Sequence, residues 1–185
     1  MKTDRPALRK NFRKTRSALS SQSRERFERA IVQHLSSFVA VSNAAAVAVY
    51  LAADGEVDLA AWVQHAWQRG KTLGLPCIDD SPGEMQFCDY RASSELSPNR
   101  FRIMQPNNAK PLDNFDCVLA PLVAFDDHGT RLGMGGGYYD RYLAATDSAI
   151  IGVAFSCQKS HVPIPREDWD VPLDAIVTEL GVVEF

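Results

Sequence analysis

The sequence predicts an α/β fold: a single domain with an open, mainly parallel sheet flanked by helices and two helices at the N-terminus. Three observations predict it. Short apolar runs alternate with segments of helical periodicity. No Pro/Gly/Ser-rich linker divides the 185 residues, a length at which a single core buries about 70% of the unfolded surface. A glycine-rich loop lies between an apolar run and a helix-compatible segment, as at the ligand-binding edge of such sheets.

Leu8, Phe12, Thr15 and Leu19 share one side of a helix of about four turns, with Arg9, Arg13 and Arg16 along another, ending near Ser20-Ser21. Phe27, Ile31, Leu35 and Phe38 mark a second helix, and the apolar run 45–51 a strand. Asp58 caps a third helix with Leu59, Trp62, Val63 and Ala66 inward, closed by Gly70. A strand follows at 72–78. Residues 79–114 are rich in turn formers, including Pro82-Gly83, Pro98-Asn99 and Pro106-Asn107-Asn108, and read as a loop-rich excursion with one short strand at 84–90. Order returns with a strand at 117–120, the glycine loop, a helix over 138–145, a strand at 149–155, and a final pair, 175–177 and 182–183. In a parallel sheet the loops at Asp54-Gly55-Glu56, 131–138 and Ser156 then share one edge.

Composition excludes several classes. Hydrophobic residues make up 45% and charged residues 23%, an ordinary globular balance. No run approaches the roughly 18 apolar residues of a membrane span, and the N-terminus lacks a signal-peptide core, so a cytoplasmic protein without membrane contact is expected. Cys77, Cys88, Cys117 and Cys157 are widely spaced and read as buried reduced thiols; His34, His65, His128 and His161 show no metal spacing. Charge is uneven: ten Lys/Arg against three carboxylates give residues 1–29 a charge of +7, leaving −10 elsewhere. That basic segment reads as a solvated helix face, a nucleic-acid arm, or part of an anion site. The lack of interleaved aromatics weighs against nucleic acid.

The stretch 131–140 is the most informative. Four of the 11 glycines, Gly133, Gly135, Gly136 and Gly137, fall within five positions beside Arg131 and Asp140. Glycine permits positive φ and close backbone approach, so successive amides can face one anion, with a helix N-terminus adding its dipole. Neither a P-loop nor a dinucleotide fingerprint fits, since Tyr138 stands where each requires another residue. The residues alone therefore point to a nucleotide or phosphorylated ligand, with a plain glycine-rich helix entry as the alternative.

Beside this reading stands a resemblance. The segment from Arg5 to Arg9, the run Tyr50-Leu51-Ala52-Ala53-Asp54-Gly55-Glu56-Val57-Asp58, the stretch from Arg131 to Arg141, and Trp169-Asp170-Val171-Pro172-Leu173-Asp174 occur in the order seen in one family. The chain resembles the 5-formyltetrahydrofolate cyclo-ligases, also called methenyltetrahydrofolate synthetases. The resemblance implies that ATP phosphorylates the formyl oxygen of 5-formyltetrahydrofolate, that nitrogen 10 attacks the activated carbon, and that loss of phosphate leaves 5,10-methenyltetrahydrofolate. It implies ATP binding by Arg5, which replaces the family lysine, by Arg9, and by Arg131, Leu132, Gly133, Met134, Gly135, Gly136, Gly137, Tyr138 and Tyr139. Arg131 and Tyr139 are the implied catalytic residues. Leu51, Glu56, Met134, Gly135, Gly136, Gly137 and Tyr138 are implied to bind the folate, and Asp140 and Asp174 to bind Mg²⁺, with Asp168 and Asp170 lying close to the latter. Phosphoryl transfer is mostly positioning and electrostatics, so no protein nucleophile is required. A non-catalytic nucleotide- or RNA-binding relative on the same scaffold is the competing expectation.

Overall fold

The computed structural model describes residues 4–78, 84–107 and 110–185. The expected turns at Pro82-Gly83 and at Asn108 lie outside the described residues. Helices α1 (Arg5–Ser17), α2 (Ser21–Ser37) and the short α3 (Val39–Ser42) precede β1 (Ala46–Ala48). The first helix stops earlier than its apolar spacing suggests. Ser20 accepts the amide of Ser23 at 3.2 Å and caps α2, so the serine pair opens the second helix instead of closing the first. Helix α4 (Ala60–Gln68) follows, with Asp58 accepting the Ala60 amide at 2.8 Å.

Strand β2 (Thr72–Cys77) leads into β3 (Gln86–Asp89), β4 (Leu96–Pro98), β5 (Met104–Pro106) and β6 (Pro111–Leu112). Next come β7 (Cys117–Pro121), β8 (Ala124–Phe125), β9 (Arg131–Leu132), α5 (Tyr138–Leu143), β10 (Ala149–Val153), a 3-10 turn at Ser156–Gln158, β11 (Ala175–Thr178) and β12 (Gly181–Glu184). The main sheet has the order β12-β11-β10-β7-β1-β2-β3-β6. Strands β11, β10, β7, β1 and β2 are mutually parallel, and β12, β3 and β6 add antiparallel edges.

Two expectations need correction. The expected strand at 84–90 is β3, but the excursion 79–114 is more ordered than its composition suggests, adding β6 to the main sheet and the β4–β5 hairpin. Strands of two or three residues carry too little alternation to register as periodicity. The glycine loop also does not follow β7 directly. A β8–β9 hairpin intervenes, and Arg131 and Leu132 are strand residues.

Side chains alternate across β7. Cys117 and Leu119 join Ile31, Leu35, Trp62 and Val63 on the face covered by α2 and α4, while Val118 and Ala120 join Phe87, Phe115, Leu143 and Ile176 on the other. Cys77, Cys88 and Cys117 are buried, and burial pushes the Cys117 thiol up to about 12. A smaller cluster, Leu8 with Ala124, Leu132 and Ile164, packs α1 onto the hairpin. This packing carries the basic N-terminal helix to the glycine loop.

Candidate functional site

The carboxyl ends of the parallel strands assemble the site. The turn after β1 carries Asp54, Gly55 and Glu56; the segment after β7 carries Leu122; the 3-10 turn follows β10. Arg16 joins the first two, donating to the carbonyl of Leu122 at 3.1 Å and to the carbonyl of Asp54 at 2.8 Å. Gln158 also donates to the carbonyl of Leu122, at 2.8 Å, so the Asp54 turn, the segment after β7 and the 3-10 turn are neighbours at this edge.

In the glycine loop, Gly135 and Gly137 adopt φ values of +99° and +69°, which open the backbone and leave 134–136 exposed. Gly137 immediately precedes α5, whose first turn contains Tyr138, Tyr139 and Asp140. Arg9 donates from Nε to the carbonyl of Gly133 at 2.9 Å. Arg131 is 3% exposed and pairs with Asp140, while its guanidinium lies 5.8 Å from the Tyr139 ring. Burial pulls the Arg131 pKa down, opposed chiefly by Asp140 and then by Tyr139 and Asp170. Arg131 Nε and the Tyr139 hydroxyl are buried with no partner among the described residues. Buried polar atoms without partners are costly, so such atoms mark a place where a polar ligand gains binding energy.

Glu56 is half-buried near Tyr139, and desolvation pushes its carboxyl up to about 7 against the Ala53 amide and Arg16, which lower it. Its Oε2 accepts that amide at 3.0 Å. Leu51 packs at the margin of the core beneath the same turn. Tyr138 lies across the loop, where Arg100 of the β4–β5 hairpin donates to its hydroxyl at 2.9 Å and Phe101 meets its ring at 5.7 Å. Glu84, Met85, Tyr138, Arg141 and Tyr142 line a cleft of about 320 Å³ on its other side.

The structure does not bring Asp174 to this edge. It precedes β11, at the amino end of the parallel strands, and accepts the Ile150 amide at 2.7 Å, as Asp116 before β7 accepts the Ala45 amide at 2.7 Å. Both carboxylates satisfy amides at strand starts. The nearby carboxylate that does reach the site is Asp170. It is 8% exposed, pairs with Arg5 through both oxygens, at 3.0 Å for Oδ1, and accepts the Glu167 amide at 2.9 Å. Among the described residues no group of three or more His, Cys, Asp or Glu is placed to hold a metal.

Two residues were absent from the sequence-based site. Asp170 carried no signal separating it from Asp168 and Asp174. Arg16 reads from its spacing as part of the polar face with Arg9 and Arg13, and the structure corrects this, burying it completely against the turn at Asp54 and the segment after β7. The first helix is thus not simply a solvated basic face: Arg5, Arg9, Arg13 and Arg16 all donate hydrogen bonds within the chain. No helix among the described residues is long and apolar enough to cross a membrane.

Residues 1–179 match the 5-formyltetrahydrofolate cyclo-ligase family. The 5-formyltetrahydrofolate cyclo-ligase of Escherichia coli K12 is 36% identical over 182 residues, covering 94% of this chain and all of that protein. The Haemophilus influenzae enzyme of the same name is 34% identical over 91% of this chain and 94% of its own. The solution structure of Aquifex aeolicus 5,10-methenyltetrahydrofolate synthetase superposes with a TM-score of 0.87 at 33% identity, covering 97% of this chain and 92% of that one. With nearly its whole length matched in sequence and in fold, this chain belongs to the 5-formyltetrahydrofolate cyclo-ligase family.

Proposed function

We propose that the protein converts 5-formyltetrahydrofolate and ATP into 5,10-methenyltetrahydrofolate, ADP and phosphate. The formyl oxygen leaves with the transferred phosphoryl group, and nitrogen 10 closes the ring on the same carbon. The observation that carries the reading is the juxtaposition of a half-buried carboxyl, Glu56, with Tyr139 and a glycine loop braced by two buried or half-buried arginines. One side suits a ring bearing N–H donors and the other suits a phosphate chain.

In this reading the amides of Gly133, Gly135, Gly136 and Gly137 cradle the triphosphate, with Arg9 holding the loop from behind. Met134 and Tyr138 complete the contacts along the loop, and Arg5 and Arg9 add positive charge; Leu132, expected to contact ATP, is 0% exposed and packs with Leu8, Ala124 and Ile164 instead. Arg131 is directed at the transferring group. Its burial excludes water, so its charge acts in a low-dielectric setting, and it requires no reorganisation as negative charge builds. The Tyr139 hydroxyl, lacking a partner, donates to ligand oxygen. Glu56 accepts hydrogen bonds from the pterin, with Leu51 as an apolar wall. A carboxyl titrating near neutrality gains its full charge when such donors arrive.

The donor set suits Mg²⁺, which takes one or two carboxylates together with phosphate oxygens and water. Asp140, in the first turn after the loop, would hold it; Asp170 is committed to Arg5 and the Glu167 amide. The ion would neutralise charge on the phosphates. We place the protein in the cytoplasm as an enzyme of small-molecule one-carbon chemistry, with neither nucleic acid nor membrane as partner.

The test is the near-ultraviolet absorbance of methenyltetrahydrofolate after mixing protein, 5-formyltetrahydrofolate, ATP and Mg²⁺. A rise requiring every component is expected. A protein that binds ATP but gives no rise with this folate acts on a different acceptor.

A further inference from the structure

We infer that Arg16 and Asp54 form a positioning pair, a buried arginine of α1 and a turn carboxylate that together fix the turn presenting Glu56 to the folate. The inference rests on the reading of Glu56 as a folate-binding residue.

Asp54 and Gly55 are consecutive residues in the left-handed region, with φ of +51° and +77°. Aspartate enters that region only at some cost, and such a turn persists where its surroundings over-determine it. Three arginines do so here. Arg16 donates from Nη2 to both the carbonyl and Oδ2 of Asp54, each at 2.8 Å. Arg13 forms a bidentate pair with the same carboxylate at 2.7 and 2.9 Å. Arg24 donates to the carbonyl of Gly55 at 2.8 Å and to that of Arg16 at 3.0 Å.

Arg13 and its partner are open to solvent, where an ion pair contributes little. Arg16 is different. It is 0% exposed, its Nη1 reaches the carbonyl of Leu122 beyond β7, and its Nε lies over Gly55 with no partner among the described residues. A buried charge of this kind is weak as a stabilising device, since an apolar residue of similar size packs as well. It is effective at holding two backbone segments in one register, because its planar fork fixes direction as well as distance. The segments it holds are the turn leading to Glu56 and the strand end beside the phosphate loop.

The pair also acts on Glu56 electrostatically. The groups facing that carboxyl are Arg16 from α1, Asp54 from its own turn, Tyr50 from the segment following β1 and Tyr139 from α5. Arg16 favours the ionised form and Asp54 opposes it. Loss of either member loosens the turn, but the two losses move the titration of Glu56 in opposite directions.

The full-length protein and its R16K, R16M, D54N and E56Q variants distinguish the possibilities, by KM for each substrate, by the pH profile of kcat/KM for the folate, and by thermal melting. R16K, R16M and D54N are each expected to raise the folate KM by about fivefold or more, with the ATP KM within about twofold. The acid limb of the profile moves to higher pH in R16M, to lower pH in D54N, and little in R16K, which keeps the charge but loses the fork. A merely structural role would not separate the limbs. Limbs that stay together, or ATP and folate KM values that rise in step, overturn the inference. If R16M fails to fold, D54N, at a solvent-exposed carboxylate, still decides through its opposite limb shift and its folate KM. An E56Q protein with a raised folate KM beside unaffected Arg16 and Asp54 variants removes the positioning pair alone. An E56Q protein with an unchanged folate KM removes the Glu56 reading and the inference with it.

Discussion

Arg9 donates from Nε to the carbonyl oxygen of Gly133 at 2.9 Å, and a Cβ on Gly135 would lie 3.3 Å from the same guanidinium. The first helix and the glycine loop are therefore interlocked, although 124 positions separate them. Anything placed on the loop is felt by the helix.

The Gly135→Val variant tests that interlock. Its φ of +99° is strained for any β-branched residue, and the added atoms would press on Arg9. The exposed position leaves the core intact. Nucleotide affinity measured by calorimetry should fall at least about tenfold, with the circular dichroism spectrum unchanged. Parental affinity in this variant removes the loop from the nucleotide site.

The two aspartates once grouped as metal ligands should separate experimentally. Asp140→Asn is expected to raise the Mg²⁺ concentration giving half-maximal rate by about tenfold. Asp174→Asn should leave that concentration alone and cost about 1 kcal/mol in urea unfolding, through the weakened bond to the Ile150 amide. A shifted Mg²⁺ requirement in Asp174→Asn would restore it to the site.

Removing the Asp170 charge leaves the Arg5 guanidinium without its ion-pair partner, holding only the Pro165 carbonyl at 3.2 Å, with the Asp170 side chain 3% and the Arg5 side chain 15% exposed. Asp170→Asn should therefore be destabilised by roughly 3 kcal/mol in denaturant titration. A loss under about 0.5 kcal/mol would mean that the pair is as weak as a surface bridge.

Glu56 makes ligand-free stability depend on pH. Its folded value is raised to about 7 from an ordinary 4.5, so the protonated folded form is favoured. The associated stability is complete below the unfolded value and is lost as pH rises through the folded one. Glu56→Gln should melt at a higher temperature than the parent at pH 8 and at nearly the same temperature at pH 5. An equal difference at both pH values would place the carboxyl in water.

The fold offers its own test at Gly74, where a Cβ would meet the Phe115 ring, at 2.8 Å from Cε1, and Phe87 Cβ at 3.3 Å. Gly74→Ala should lose about 1 to 3 kcal/mol by overpacking, read by thermal melting.

Much of this was legible in the chain. The alternation of apolar runs and helical stripes predicted the parallel core, and the cluster of glycines beside Arg131 predicted an open loop, which the structure forms with Gly135 and Gly137 at positive φ. Of the 79–114 excursion only the strand realised as β3 was legible; β4, β5 and β6 were not, because turn formers dominate their composition and their pairing is decided by β3 and by one another. The β8–β9 hairpin was hidden for the same reason.

By itself the sequence determined the fold class, the glycine-rich stretch and the family, since these follow from local spacing and ordered motifs. Only the tertiary structure decided which carboxylate pairs with Arg5 and which arginines are buried. Asp168, Asp170 and Asp174 are equivalent as letters, but Asp170 alone folds against Arg5, 165 positions away, while Asp174 caps a neighbouring strand. Burial and choice of partner arise between segments far apart in the chain, and no local pattern encodes them.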